Sequence, residues 1–305
     1  MPLHIAITGS TGLIGTAVTD VLHAEGHAIT PIIRSSTPVR TNKRVIRWKI
    51  LSGEIDRDKL EGHDVFIHLA GANIAGQNWT PAYKEEILES RVKSTRLLCN
   101  ALVHMKQLPR LWICASAVGF YGHVPVSETR DERGPRGEGF LAQVCEQWEE
   151  ATRPAELAGI RVIHLRFGVV LSSKGGALQK MLPIFKLGLG GNLGSGGQMM
   201  SWIALEDIPR IISHILNHEK LTGPVNAVAP KPVTNREFTQ TIGKILNRPA
   251  ILPVPEFMVK WMFGEMGQTL LLSGANVVPG KLLQSGFNSN YPDIQSALSH
   301  CLVYS

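Results

Sequence analysis

The opening of the chain constrains its fold more than any other segment. Leu3-His4-Ile5-Ala6-Ile7 is a short apolar run that stops at Thr8-Gly9-Ser10-Thr11-Gly12-Leu13-Ile14-Gly15. The glycine spacing is G-x-x-G-x-x-G, one residue longer in the turn than the dinucleotide fingerprint G-x-G-x-x-G. Gly9 lets the chain turn sharply after a strand. Gly12 lets the backbone approach a pyrophosphate, and Gly15 lets the next helix lie close on the sheet. A pyrophosphate there would rest on the free N–H groups and positive end of a helix over Leu13–Ala24. A strand before the turn and a helix after it is the context that gives such glycines meaning.

Of the 305 residues 44% are apolar and 18% charged, enough for a sizeable core in a water-soluble fold. No apolar run approaches the ~18 residues that a bilayer span needs. The N-terminus reads straight into a strand rather than a leader, so a cytoplasmic protein with no membrane contact is expected. Cys99, Cys114, Cys145 and Cys301 form no C-x-x-C pair, and reduced, buried thiols suit that compartment. The net charge is +6, and its densest cluster is Arg34, Arg40, Lys43, Arg44 and Arg47. No interleaved aromatics accompany it, so nucleic acid is not an expected partner. The histidines suggest no metal centre, and no metal is expected.

Strand and helix patterns then alternate. Ala28–Ile33, Val45–Trp48, Val65–Leu69, Leu111–Ala115 and Ile160–Leu165 read as strands. Trp79–Met105 holds a helix with the apolar stripe Leu88, Val92, Thr95, Cys99, Leu102, and Phe140–Leu157 holds another. Short apolar strands between helices imply a parallel sheet covered on both faces. The fold class is therefore α/β, a Rossmann-type doubly wound sheet. Past Ser172 come glycine-rich stretches, Lys174–Gly176 and Gly188–Gly197, of the kind that border ligands. Glu206–Asn217 returns to helix, Val225–Val228 to strand, and Thr234–Leu246 to a helix with Thr234 as N-cap. Pro249–Pro255 reads as extended, and Glu256–Val303 as a helical appendage. Residues 1–172, with 206–230 returning to them, form the nucleotide-binding domain; 173–205 and 231–305 form a smaller, partly helical C-terminal lobe.

In such folds an acid at the end of the second strand accepts from the ribose hydroxyls of NAD, whereas an arginine pairs with the 2′-phosphate of NADP. Here that strand ends Ile32-Ile33-Arg34-Ser35-Ser36, with no acid. Arg34 is expected to grip a 2′-phosphate with Ser35 and Ser36 in support, so NADP(H) is the expected cofactor.

Thr8–Gly15, His68–Gly71, Ala115–Gly122, Leu165–Leu171 and Trp202–Asp207 fall in the order seen in extended short-chain dehydrogenases/reductases, which the chain resembles over nearly its whole length. Finer segments resemble the atypical "epimerase family protein" subgroup, which is nucleoside-diphosphate-sugar epimerase-like. They are His68–Ile74, Cys145–Glu149, Gly175–Leu178 and Leu182–Gly191. Pro279–Leu282 and Ser285–Phe287 are similar to that subgroup's C-terminal domain of unknown function. The resemblance implies that Leu69, Ala70 and Gly71 pass beneath the adenosine and pyrophosphate. It also implies that Glu86 and Arg91 lie near the cofactor and that Val169 and Val170 flank the nicotinamide. The helices of 79–105 and 140–157 resemble a pair that forms a homodimer interface in extended members, although the same stripes would serve as core.

The resemblance breaks at the chemistry. Members that transfer hydride use a Ser or Thr to orient the substrate carbonyl, a Tyr to pass the proton and a Lys to lower the Tyr pKa. Ser116 fits the first role. Aligning Glu149 puts Leu141 at the tyrosine and Cys145 at the lysine, and no Tyr-x-x-x-Lys occurs in the chain. Tyr121, on the loop beyond Ser116, is the substitute acid to weigh against a purely structural tyrosine. Met200 stands where sugar-nucleotide epimerases carry a phosphate-binding arginine, which disfavours a nucleotide sugar. Gln198 and Trp202 would instead line a flatter, less charged pocket for an unidentified small molecule. Asp207 reads as a helix N-terminal residue and His68 as a packed one. The expected function is that of an NADP(H)-binding epimerase- or reductase-like protein. The alternative is an NADPH-binding sensor or regulatory protein without turnover.

Overall fold

The computed structural model describes residues 1–38 and 44–303, so Arg40 and Lys43 of the basic cluster lie outside the described residues. In chain order the first half runs β1 (His4–Thr8), α1 (Leu13–Ala24), β2 (Ala28–Arg34), β3 (Ile46–Lys49), β4 (Glu54–Ile55), β5 (Val65–His68), α2 (Pro81–Leu102) and β6 (Leu111–Ala117). It continues with α3 (Phe140–Glu150), α4 (Arg153–Leu157), β7 (Arg161–Phe167), β8 (Val169–Leu171), α5 (Gly176–Lys186), β9 (Met199–Met200), β10 (Trp202–Ala204), α6 (Asp207–Asn217) and β11 (Gly223–Ala227). Last come β12 (Val233–Thr234), α7 (Asn235–Leu246), α8 (Glu256–Gly267), α9 (Gly280–Gln284) and α10 (Ile294–Val303).

Eight strands form one sheet in the order β11-β7-β6-β5-β1-β2-β3-β4. Every pairing is parallel except β3 with β4. β5 is buried at all four positions, as a strand covered on both faces must be. The crossovers put α1 beside α6 on one face and α2 beside α3 and α4 on the other. Ile5, Ile7, Phe66, Trp112, Ile163 and Ile212 lie fully out of solvent between them. The stripe Val92, Thr95, Cys99, Leu102 on α2 is buried inside the chain, so it is spent on the core.

The long helix expected over Phe140–Leu157 is two helices. Pro154 has no amide to continue the ladder, and it sits in the first turn of α4, where none is needed. β4, β8 and β10 were not legible because strands of two or three residues carry no periodic signal. α5 follows the Gly175-Gly176 turn directly. A second core gathers Leu171, Leu178, Phe185, Trp202, Phe238 and Leu298 beneath the C-terminal lobe. Leu282 of α9 and Phe287 join the main core instead, which ties this part of the C-terminal segment back to the sheet. Among the described residues no helix is long and apolar enough to cross a membrane.

Candidate cofactor and substrate site

β1 and β5 are neighbours, and their following helices leave to opposite faces, which opens a crevice at their carboxyl ends. Thr8 holds that crevice together. Its buried Oγ1 accepts from the Leu69 and Ala70 N–H groups at 3.1 and 3.2 Å and bonds His68 Nδ1 at 2.7 Å. His68 Nε2 in turn meets Ser94 Oγ at 3.2 Å, and that hydroxyl donates to Ser90 O. The network assigns the proton to Nε2. Burial, with Arg91 as a lesser cause, lowers the His68 pKa to about 3, so the ring is a neutral brace.

Gly9 has φ +70°, and a Cβ there would lie 2.9 Å from Leu69 C. A Cβ on Gly15 would lie 2.0 Å from Gly9 O. The fold thus requires both. Gly12 differs: its nearest neighbour to a built Cβ is 3.4 Å away, so the space it leaves open faces outward. Gly12 is also the N-cap of α1, with no side chain capping the helix. Leu13 and Ile14 pack against the core behind the turn. Gly175 brings the next loop over the turn, where a Cβ would sit 3.2 Å from Leu13 Cδ1; the sequence reading did not place this loop here.

A cavity of about 640 Å³ runs from Gly9, Ser10 and Thr11 past Ala70 and Gly71 to Arg34. The exposed Arg34 guanidinium makes no hydrogen bond or ion pair among the described residues. The Ser35 hydroxyl is already committed, donating to Trp48 O at 3.1 Å, and Ser36 and Thr37 line the cavity in its place. Arg47 Nη1 donates to the Ser35 and Thr37 carbonyls at 2.8 and 3.3 Å and holds this loop. Glu86 faces the cavity from α2. Arg91 does not: its Nη1 and Nη2 donate to Ile87 O and Ala72 O at 2.9 and 3.0 Å, and its guanidinium lies 5.1 Å over the Trp148 ring. It fixes the loop after Gly71 instead. The fit to a dinucleotide is therefore good: an uncapped helix end, a Cβ position at Gly12 that meets only Gly9 O, at 3.4 Å, and an arginine without a partner among the described residues at the end of β2.

A second cavity, about 290 Å³, opens at the carboxyl end of β6, between the sheet and the segment after α8. Val169 and Leu141 line it, whereas Val170 packs on the main core. Ser116 and Tyr121 are displaced behind its wall. Ser116 is 3% exposed, and its hydroxyl donates to Glu149 Oε1 at 2.6 Å. The Tyr121 hydroxyl donates to Asn226 Oδ1 at 2.8 Å and accepts from Arg166 Nη1 at 2.9 Å. Arg166 also donates to both Glu149 oxygens, at 2.8 and 2.7 Å, and stacks 3.5 Å from the Phe120 ring centroid. Burial raises the Tyr121 pKa, which makes it a weaker acid. Cys145 is buried too, and burial pushes its thiol up to about 11. Sequence reasoning found Glu149 only as an alignment marker and missed Arg166. Arg166 is a charged residue within the buried run 162–167 of β7, which was the available signal; Glu149, among Glu146, Gln147 and Glu150, carried none.

Trp202 is fully buried, and its indole N–H donates to Lys231 O at 3.0 Å, so it belongs to the second core and not to the cavity wall. Gln198 Nε2 donates to Leu193 O and Leu271 O at 3.1 and 2.7 Å, which pins two loops. Asp207 opens α6 in full burial and accepts from Asn290 N and Tyr291 N at 2.9 and 3.2 Å. One spacing was passed over, His214-x-x-x-His218 on α6. Its rings stack at 3.7 Å, and no group of three His, Cys, Asp or Glu ligands gathers among the described residues.

Fold and crevice define a Rossmann-type protein of the extended, epimerase-like kind. Residues 5–228 match the NAD-dependent epimerase/dehydratase family, and residues 254–301 match a domain of unknown function. The chain belongs to the NAD-dependent epimerase/dehydratase family. It is 43% identical over 296 residues to the epimerase family protein Mb2239 of Mycobacterium bovis, covering 97% of this chain and 96% of that one. It is 36% identical to the Homo sapiens epimerase family protein SDR39U1, covering 99% of this chain and 100% of that one. The crystal structure of human SDR39U1 with NADPH superimposes with a TM-score of 0.87 at 33% identity, over 98% of this chain and 99% of that one. A UDP-glucose 4-epimerase from Thermus thermophilus, solved with NAD, has a TM-score of 0.73 at 18% identity over 99% and 100% of the two chains, a likeness of fold alone.

Proposed function

We propose that this protein binds NADP(H) in the crevice between β1 and β5 and prefers it to NAD(H). The observation that carries this reading is Arg34, a guanidinium without a partner among the described residues, at the end of a strand that ends with no acid. The NADPH in human SDR39U1 supports it. Thr8 braces the loop, the amides of Gly12, Leu13 and Ile14 would receive the pyrophosphate, Ala70 and Gly71 would pass beneath it, and Glu86 would face the ribose side. Bound there, the cofactor would supply or accept hydride, and Val169 would flank its nicotinamide. A small molecule in the adjoining cavity would be its partner in an epimerase- or reductase-type reaction.

A reading without turnover has its own support. Leu141 and Cys145 provide neither proton nor charge, and Ser116 and Tyr121 have their hydroxyls bonded inside the wall. Calorimetric titration with NADPH and with NADH tests the binding. NADPH should bind clearly the tighter. Arg34→Ala should weaken NADPH roughly tenfold to a hundredfold, the loss of a charge-assisted contact, and leave NADH nearly unchanged. Equal affinities in the unsubstituted protein would overturn the proposal. Cofactor oxidation with a panel of carbonyl compounds then separates an enzyme from a sensor.

A further inference from the structure

The second cavity has a chemistry of its own. Its walls are largely apolar, with Val118, Phe140, Leu141, Val169, Met200 and Leu270 among them. Among the described residues no arginine or lysine lines it, while two acidic residues do, Glu138 and Glu265. The Lys84 ammonium is close by but already neutralised. It donates to the two Glu265 oxygens at 2.7 and 3.0 Å and lies 4.6 Å over the Phe140 ring. Arg166 is behind the wall, committed to Glu149 and Tyr121. A diphosphate needs charge-assisted donors; here Lys84 and Glu265 cancel each other and the exposed Glu138 adds only negative charge, so the cavity supplies none. The volume of about 290 Å³ also sits at the small end of pockets that enclose whole ligands. Two polar side chains of the wall, His123 and Thr269, stand ready for a ligand oxygen, and His123 is the more exposed. The exposed His123 imidazole lines the cavity and has no bonded partner among the described residues.

We infer that this cavity takes a compact, uncharged, largely apolar carbonyl or hydroxyl compound, held through its oxygen by His123, and rejects nucleoside-diphosphate sugars. The inference rests on the cofactor reading above, which puts the reacting end of the nicotinamide beside Val169. It departs from the substrates of the fold's nucleotide-sugar relatives because the charges those substrates require are missing from the wall.

The test uses full-length protein with ¹³C-labelled methionine methyls, saturated with NADPH after calorimetry has established its uptake. Met199 and Met200 both line the cavity, and their signals are assigned with Met199→Leu and Met200→Leu. The probes are 2-decalone, a compact apolar ketone, and UDP-glucose. 2-Decalone should shift both methyl signals saturably, and UDP-glucose at the same concentration should leave them in place. His123→Ala should weaken 2-decalone about threefold to tenfold while leaving NADPH affinity unchanged, the effect of one lost hydrogen bond. Saturable shifts with UDP-glucose would overturn the inference, and so would no shift with 2-decalone. Failure to take up NADPH would count against the cofactor reading alone, since the same titration on cofactor-free protein still reads the cavity.

Discussion

Gly12 and Gly15 look alike in the sequence but serve different ends. A Cβ at Gly15 would meet Gly9 O at 2.0 Å, which only a backbone shift relieves. Gly15→Ala should therefore lower stability by about 1–3 kcal/mol, read as a lower Tm. Gly12→Ala meets nothing nearer than 3.4 Å, so it should keep the parent Tm yet weaken NADPH binding in the calorimeter. The Arg166–Glu149 pair is a different case, with side chains 4% and 13% exposed. Burial opposes the Arg166 charge, but the Glu149 bonds outweigh it and the guanidinium pKa is raised. Glu149→Gln leaves that charge buried without its counter-ion. It should cost about 3–5 kcal/mol in chemical denaturation, and Tyr121 should lose its fixed position.

At the level of elements, signals that act within a few residues were legible. Thr234 caps α7 as expected, and Glu237 completes a capping box that bonds back to the Thr234 amide at 2.7 Å. Thr234→Ala should cost about 1 kcal/mol, measured as a shift in the urea midpoint at constant slope. The break between α3 and α4 was equally local, since Pro154 announces it, yet the apolar spacing on either side masked it. β8 and β10 were not local at all. Their pairing joins Val169 to Trp202, 33 positions apart, with α5 between them in the chain. Trp202 is buried there in the second core, among Leu171, Phe238 and Leu298.

The whole molecule carries a pH dependence that no single element shows. Burial lowers the pKa values of His63, His68 and His164, in each case as the largest cause. Their folded pKa values lie below the ordinary value of about 6.5, so the unfolded chain takes up protons first as pH falls. Stability from these groups is complete above about pH 6.5 and is lost below it. For His68 the loss continues down to about 3, at up to about 1.4 kcal/mol per pH unit. Urea midpoints between pH 7.5 and 5 should fall with acidity, and His68→Gln should flatten that slope. An unchanged slope would mean that His68 is not held neutral.

Much of this protein is determined by the sequence alone, because the relevant physics is short in range. A glycine turn, a strand that ends in arginine without an acid, a threonine before a helix and an apolar run each act on their own neighbours. The Rossmann-type sheet and the cofactor end of the crevice follow from them. The missing Tyr-x-x-x-Lys was equally plain. Only the tertiary structure decided what replaces it. Ser116 meets Glu149 across 33 positions, and Tyr121 meets Arg166 and Asn226 across 45 and 105. Whether a hydroxyl faces a cavity or a buried counter-charge depends on such distant partners, because burial and hydrogen-bond commitment belong to the packed molecule and not to the residue.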